Sequence, residues 1–220
     1  DIITLDKEGR LTKVFGGAIA LHPAQIVNKE LSMVQKQELQ TTEKQAIARY
    51  AASLIEPDDC VYLDAGTTTG WMIEYIRQEK ATYITNALSH AKRLADKGFS
   101  VILIGGEPKS STDAIVGGEA VLNLQKYHFS KGFFGVNGVD RLSGFTTPDV
   151  KEAVVKQAAV KNTQPAHRYF LTTSSKFGEV YAVTFAGFEG GVILTEDSIS
   201  EVLPKSIEII NLGQGSDPCP

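Results

Sequence analysis

Beyond Pro57 the chain alternates short apolar runs with longer stretches in which apolar residues recur at helical spacing. The runs are Val61–Leu63, Thr82–Ile84, Val101–Ile104, Gly132–Val136, Tyr169–Leu171, Val192–Leu194 and Ile207–Ile210. Runs this short, separated by enough chain for a helix, predict strands of a parallel-rich sheet flanked by helices, an α/β, Rossmann-like architecture. Ahead of them, Thr42 can cap a helix in which Ile47, Ala48, Ala51, Ala52, Leu54 and Ile55 share a face, and Pro57 ends it. A further helix is expected from Trp71 to about Arg77, and an amphipathic one opens after Pro148 with Asp149, Lys151, Glu152 and Lys156.

The first residues have a different rhythm. Asp1 to Ala18 reads as a helix end, a turn at Asp6-Lys7-Glu8-Gly9, and a strand from Arg10 to Phe15 broken by Gly16-Gly17. Residues 19–40 are polar, carry Pro23 and lack sustained apolar periodicity, so they read as a linker. This divides the chain into 1–18, 19–40 and an α/β domain over 41–220.

The residues immediately after each apolar run are mostly small, polar or hydrogen-bonding. In an open α/β sheet ligands bind beyond the carboxyl ends of the strands, where loops and helix N-termini converge, so these segments are the candidate site. The sharpest is Asp64-Ala65-Gly66-Thr67-Thr68-Thr69. Gly66 allows close backbone approach, and consecutive threonines at a helix start offer hydroxyls and N–H groups to an anion such as phosphate. The same stretch also suits a plain helix cap. It has neither the Gly-Lys-Ser/Thr of a P-loop nor the dinucleotide-binding glycine pattern.

Lys176, between Ser174-Ser175 and Phe177-Gly178, could present a point charge to a phosphate or could be a solvated surface lysine. Thr85-Asn86 and Gly105-Gly106-Glu107 offer donors and acceptors for sugar hydroxyls, or simple turn chemistry. Glu152 and Lys156 have the i, i+4 spacing of an exposed ion pair; alternatively Glu152, near a helix start, points back into the pocket.

Composition narrows the classes. At 220 residues the chain holds one sizeable core, and 42% hydrophobic with 22% charged residues is ordinary for a globular protein. No apolar run approaches the roughly 18 residues that span a bilayer, and no secretory signal opens the chain, so a soluble cytoplasmic protein is expected. Cys60 and Cys219 have no metal-ligand spacing, and His22, His90, His128 and His167 share no close spacing with each other or with an acidic partner. No metal or cofactor is therefore expected. A net charge of −4 argues against a broad DNA-binding face.

Several of these segments, in order, resemble the DeoR-type repressors of sugar metabolism. They are Leu5 to Ala18, Leu63-Asp64-Ala65-Gly66-Thr67-Thr68-Thr69, Ile84-Thr85-Asn86-Ala87, Leu103-Ile104-Gly105-Gly106-Glu107, Phe134 to Asp140 with Gly144-Phe145-Thr146 behind it, and Ser175-Lys176-Phe177-Gly178. The resemblance implies an effector-binding domain of a transcriptional regulator, preceded by the tail of a winged helix-turn-helix domain. It implies a phosphorylated sugar as effector and operator DNA as partner, with assembly into a homo-oligomer. Asp1 to Ala18 would then be the end of a DNA-binding domain most of which is absent from this fragment, with Lys7, Arg10 and Lys13 on the wing, facing the DNA backbone.

The family's sensing domain is similar in fold to ribose-5-phosphate isomerase and glucosamine-6-phosphate deaminase, so a sugar-phosphate isomerase is the enzymatic alternative. Such isomerases carry an Asp-Gly-Ala-Asp-Glu run, where this chain has Asn137-Gly138-Val139-Asp140-Arg141. Asparagine cannot serve as a general base and arginine reverses a charge, so the resemblance points to binding without turnover, with Asn137 and Asp140 kept for the ligand. A purely structural oligomerisation module would leave the threonine loop and Lys176 without a task.

Overall fold

The computed structural model describes residues 39–199 and 203–213, with the backbone of 11–14, 17–20 and 25–26. β1 (Leu11–Val14) lies antiparallel to β2 (Gly17–Ala20), and β3 (Gln25–Ile26) comes next. α1 (Thr41–Ser53) leads into β4 (Cys60–Leu63), α2 (Thr67–Tyr75), β5 (Thr82–Thr85), α3 (Leu88–Asp96) and β6 (Ser100–Leu103). The antiparallel pair β7 (Glu107–Lys109) and β8 (Ala114–Val116) precedes α4 (Gly118–Leu124) and β9 (Lys131–Gly135). Then come β10 (Gly138–Asp140), β11 (Gly144–Thr147), α5 (Val150–Lys161), β12 (Arg168–Leu171) and a 3-10 turn at Ser174–Lys176. β13 (Glu179–Val180), β14 (Val183–Ala186), β15 (Gly191–Thr195) and β16 (Glu208–Asn211) complete the described elements.

The seven expected strands form one sheet in the order β16-β15-β12-β9-β4-β5-β6, every neighbouring pair parallel. Successive strand residues face opposite sides, and here both sides are covered. Val61 and Leu63 enter a core with Ile47 and Ala51 of α1 and Met72 and Ile73 of α2. Tyr62, between them in sequence, joins the opposite core with Leu124 of α4 and Val155 and Ala159 of α5. Phe133 and Phe134, and Tyr169 and Phe170, divide the same way, which is why these strands read as unbroken apolar runs. Among the described residues no helix is long and apolar enough to cross a membrane.

Two helix starts differ from the sequence expectation. α2 begins at Thr67 rather than Trp71 and ends at Tyr75, so the threonines form its first turn. The Thr69 hydroxyl donates to the carbonyls of Asp64 at 2.7 Å and Gly66 at 3.1 Å, and these bonds draw the turn into the helix. α1 is capped at Gln40, not Thr42, and Gln40 adopts left-handed dihedrals, φ 51° and ψ 46°. Its side chain bonds to Thr173 and Ser175 in the turn after β12.

The segment read as a linker contains part of β2 and all of β3, and β3 runs parallel to β13, Gln25 opposite Glu179 and Ile26 opposite Val180. Lys7 and Arg10 lie outside the described residues, and only the backbone of Lys13 is described. A second, antiparallel sheet of order β10-β11-β14 sits beside α5. Within it Gly138 passes so close to the Glu179 carbonyl that any Cβ there would collide with it.

Candidate functional site

The parallel strands point their carboxyl ends at one edge of the sheet, and a cleft of about 400 Å³ opens there. Three strand ends supply its floor. After β4 come Ala65 and Gly66, with Thr67 and Thr68 next in the first turn of α2. After β9 come Val136 and Asn137, and after β12 come Ser175 and Lys176. The α2 N-terminus directs unsatisfied backbone N–H groups at this edge, where the helix dipole favours negative charge.

α5 forms one wall. Its N-cap Asp149 accepts from the Glu152 backbone N–H at 2.9 Å, which fixes the helix start and aims Glu152 and Lys156 inward on one face. Both are buried, 8% and 4% exposed, so the exposed-pair reading of this spacing is corrected. They do not pair with each other as an isolated couple. Glu152 accepts from the Thr112 hydroxyl at 2.6 Å and from Lys109 at 2.8 Å, while Lys156 donates to Asp64 and, at 3.1 Å, to the Gly135 carbonyl. Lys109 also bridges to Asp149 at 3.0 Å.

Electrostatics sets the protonation of this wall. Burial raises the Glu152 carboxyl, but the Lys156 charge, then the bonds from Lys109 and Thr112, outweigh it and hold it below the ordinary carboxylate value. For Asp64, wholly buried beneath the cleft, burial wins over the Lys156 charge and hydrogen bond, and its carboxyl lies above the ordinary value. Its second oxygen, Oδ1, has no hydrogen-bond partner among the described residues.

On the opposite side Lys176 donates to the Val136 carbonyl at 2.5 Å. Glu179 and Tyr181 line the cleft beside it, with burial raising the Glu179 carboxyl against the Lys176 charge and a Tyr181 hydrogen bond. Asn137 accepts from the Thr147 hydroxyl at 3.2 Å.

Of the residues singled out from sequence, the cleft thus brings together Gly66, Thr67, Thr68, Asn137, Glu152 and Lys176, with Asp64 beneath. Thr69 bonds back to the loop, and Asn86 supports it from behind by accepting from the Ala65 N–H at 2.8 Å. Thr85 accepts from the Ala87 N–H. Gly105, Gly106 and Glu107 lie outside the lining: Gly106, at φ 145°, packs against the Val116 carbonyl, 2.7 Å from where a Cβ would be, and Glu107 pairs with Lys151 at 2.7 Å on the surface. Asp140 caps its own turn, accepting from the N–H groups of Leu142 and Ser143.

Lys156, Thr112, Tyr181, Lys44 and Gln40 join the site without having been marked as ligand contacts from sequence. Among the described residues no group of three or more His, Cys, Asp or Glu side chains is placed to hold a metal ion. Chemically the cleft offers cationic and N–H donors suited to an anion, beside carboxylate and amide acceptors suited to hydroxyl groups.

Comparison with known proteins places the chain in a family. Residues 39–198 match the family described as the DeoR C terminal sensor domain. The Bacillus subtilis (strain 168) protein named "Uncharacterized HTH-type transcriptional regulator FruR" is 42% identical over 199 residues, 90% of this chain and 77% of that protein. The lactose phosphotransferase system repressor of Staphylococcus aureus (strain N315) is 39% identical over 182 residues, 81% of this chain and 70% of that protein. Among solved structures, ribose 5 phosphate isomerase A from Neisseria gonorrhoeae superposes with a TM-score of 0.44 at 12% identity, covering 66% of this chain and 55% of that one, a likeness too slight to carry an argument.

Proposed function

This chain belongs to the DeoR C terminal sensor domain family, and on that premise we propose that its cleft binds a phosphorylated sugar whose occupancy alters the DNA affinity of a transcriptional repressor of carbohydrate metabolism. The observation that carries the reading is the convergence in one cleft of the Thr67-Thr68 helix start and Lys176 with Glu152 and Asn137. The first group suits a phosphate, and the second suits hydroxyls. Operator DNA is contacted through residues ahead of the sensor domain, Lys7, Arg10 and Lys13 among them, and the regulator works as a homo-oligomer.

The same geometry supports sensing over catalysis. A general base works best with a pKa near the operating pH. Glu152, which lines the cleft, is held below its ordinary value, and Asp64, although burial raises its carboxyl, is wholly buried beneath the cleft against Lys156 and does not line it. Asp140 is turned into its own hairpin.

A thermal-shift screen tests the reading. The panel is ribose 5-phosphate, glucosamine 6-phosphate, glucose 6-phosphate and the 1- and 6-phosphates of fructose. One member is expected to stabilise the chain by about 2.7 kcal/mol at 100 times its Kd and to pass through unchanged. Isomerised or deaminated product that disappears in Glu152→Gln would overturn the sensor reading in favour of the enzyme.

A further inference from the structure

The cleft has a wall that belongs to neither the sheet loops nor α5. Leu39, Gln40 and Lys44, where the chain enters the α/β domain, line it together with Lys176 and Glu179. Lys44 is 3% exposed, on the first turn of α1, and its ammonium group donates to the Leu39 carbonyl at 2.5 Å. A buried ammonium at a cleft wall is an anion-binding group placed without the freedom of a surface lysine, so little side-chain entropy is lost when it engages a ligand.

Gln40 ties this wall to the Lys176 turn. Its amide nitrogen donates to the Ser175 hydroxyl at 2.9 Å, and its amide oxygen accepts from the hydroxyls of Thr173 at 2.9 Å and Ser175 at 3.2 Å. These bonds span more than 130 positions and hold a non-glycine residue in the left-handed region, which is retained only where surrounding contacts enforce it. The chain ahead of Gln40 meets the site a second time, because β3 pairs with β13 and places Gln25 opposite the cleft residue Glu179.

We propose that Lys44 is an effector-binding residue and that Leu39 and Gln40, where the chain enters the α/β domain, form one wall of the site with it, so that ligand occupancy is felt directly at that point of entry. This rests on the sugar-phosphate reading and adds to it the route of coupling. An anion bridging Lys44 and Lys176 closes the Gln40 contact from both sides. A ligand held there biases the entry at Gln40 to the extent that it binds this arrangement better than any in which the Gln40 contacts are broken.

The test uses the whole 220-residue chain and the same five sugar phosphates as probes. In calorimetry, Lys44→Met is expected to weaken the best-binding probe at least tenfold, and Lys44→Arg, which keeps the charge, to stay within about threefold of the parent. Hydrogen exchange on the unsubstituted chain is expected to slow on probe binding in peptides containing residues 39–44, and Gln40→Ala to remove that slowing while the chain stays folded. Equal affinity of Lys44→Met and the parent overturns the role of Lys44. A probe that binds the parent without changing exchange in these peptides overturns the coupling. If no probe binds the parent, the sugar-phosphate reading itself fails and takes this proposal with it.

Discussion

Asp64, at the end of β4, and Lys156, on α5, stand 92 positions apart in the chain and share one buried ion pair beneath the cleft. The pair joins the threonine loop to the α5 wall. Asp64 Oδ2 also accepts from the Gly135 N–H at 3.0 Å, and Lys156 sits 5.5 Å from the centre of the Phe185 ring. Removing one partner leaves an uncompensated buried charge, so Asp64→Asn or Lys156→Met should each cost about 3–5 kcal/mol. The double substitution should cost clearly less than the sum of the two. Urea denaturation of the four proteins checks this, and strict additivity would mean that the two groups are not coupled.

The site's two chemistries are separable through Glu152. Its carboxylate accepts from Thr112 and Lys109 and lines the cleft. Glu152→Gln should weaken a sugar phosphate about tenfold, the scale of one charged hydrogen bond, while leaving the affinity for inorganic phosphate within a factor of two or so. Competition calorimetry with both ligands makes the comparison. An equal loss for sugar phosphate and inorganic phosphate would place Glu152 in the anion site instead.

A pH effect is built in next to the threonine loop. His90 of α3 is wholly buried, its Nδ1 has no partner among the described residues, and its Nε2 lies 2.9 Å from where a Cβ on Gly70 of α2 would sit. Burial, and next the Arg93 charge, lower its pKa from 6.5 to about 4. As pH falls below 6.5 the unfolded chain takes up the proton first, so this contribution to stability is complete above 6.5 and is lost progressively down to about 4. The loss should reach about 3 kcal/mol, and His90→Gln should flatten that part of the stability profile. Thermal melts from pH 7 to pH 4 supply the test, and an unchanged slope in the variant would exclude His90 as its source.

Close packing between the small sheet and the cleft gives a steric prediction. Gly138→Ala would push the backbone carbonyl of Glu179 away and move Glu179 and Tyr181, which line the cleft. Overpacking of this kind costs about 1–3 kcal/mol, and effector affinity should fall together with stability. Denaturant midpoints and calorimetry on the same preparation are the check; a stable variant with full affinity would show that β13 can shift without consequence.

The sheet was legible because strands buried on both faces leave continuous apolar runs, and Val61–Leu63 or Tyr169–Leu171 read as strands for that reason. The threonine loop was legible as an anion-friendly helix start, though not as the helix itself. Its first turn is decided by the bond from Thr69 back to the Asp64 carbonyl, a choice that local propensity does not make. Glu152 and Lys156 show why the rest was hidden. Their spacing is the same for a solvated pair and for a buried wall, and only Asp64, far away in sequence, distinguishes the two. Lys44 and Gln40 were hidden in the same way, because the wall they form is completed by residues 173–176, which belong to another part of the chain.

The most direct measurement is calorimetric titration of the panel's best sugar phosphate, and of the same sugar without phosphate, into the parent and into Thr67→Ala, Thr68→Ala and Lys176→Ala. The phosphorylated ligand should bind the parent at least tenfold more tightly than the free sugar. Each variant should lose roughly 1.5–3 kcal/mol of binding, about tenfold or more in Kd, while melting within a few degrees of the parent. Equal affinity for sugar and sugar phosphate, or variants that bind like the parent, would contradict phosphate sensing and reduce Thr67 and Thr68 to the first turn of a helix.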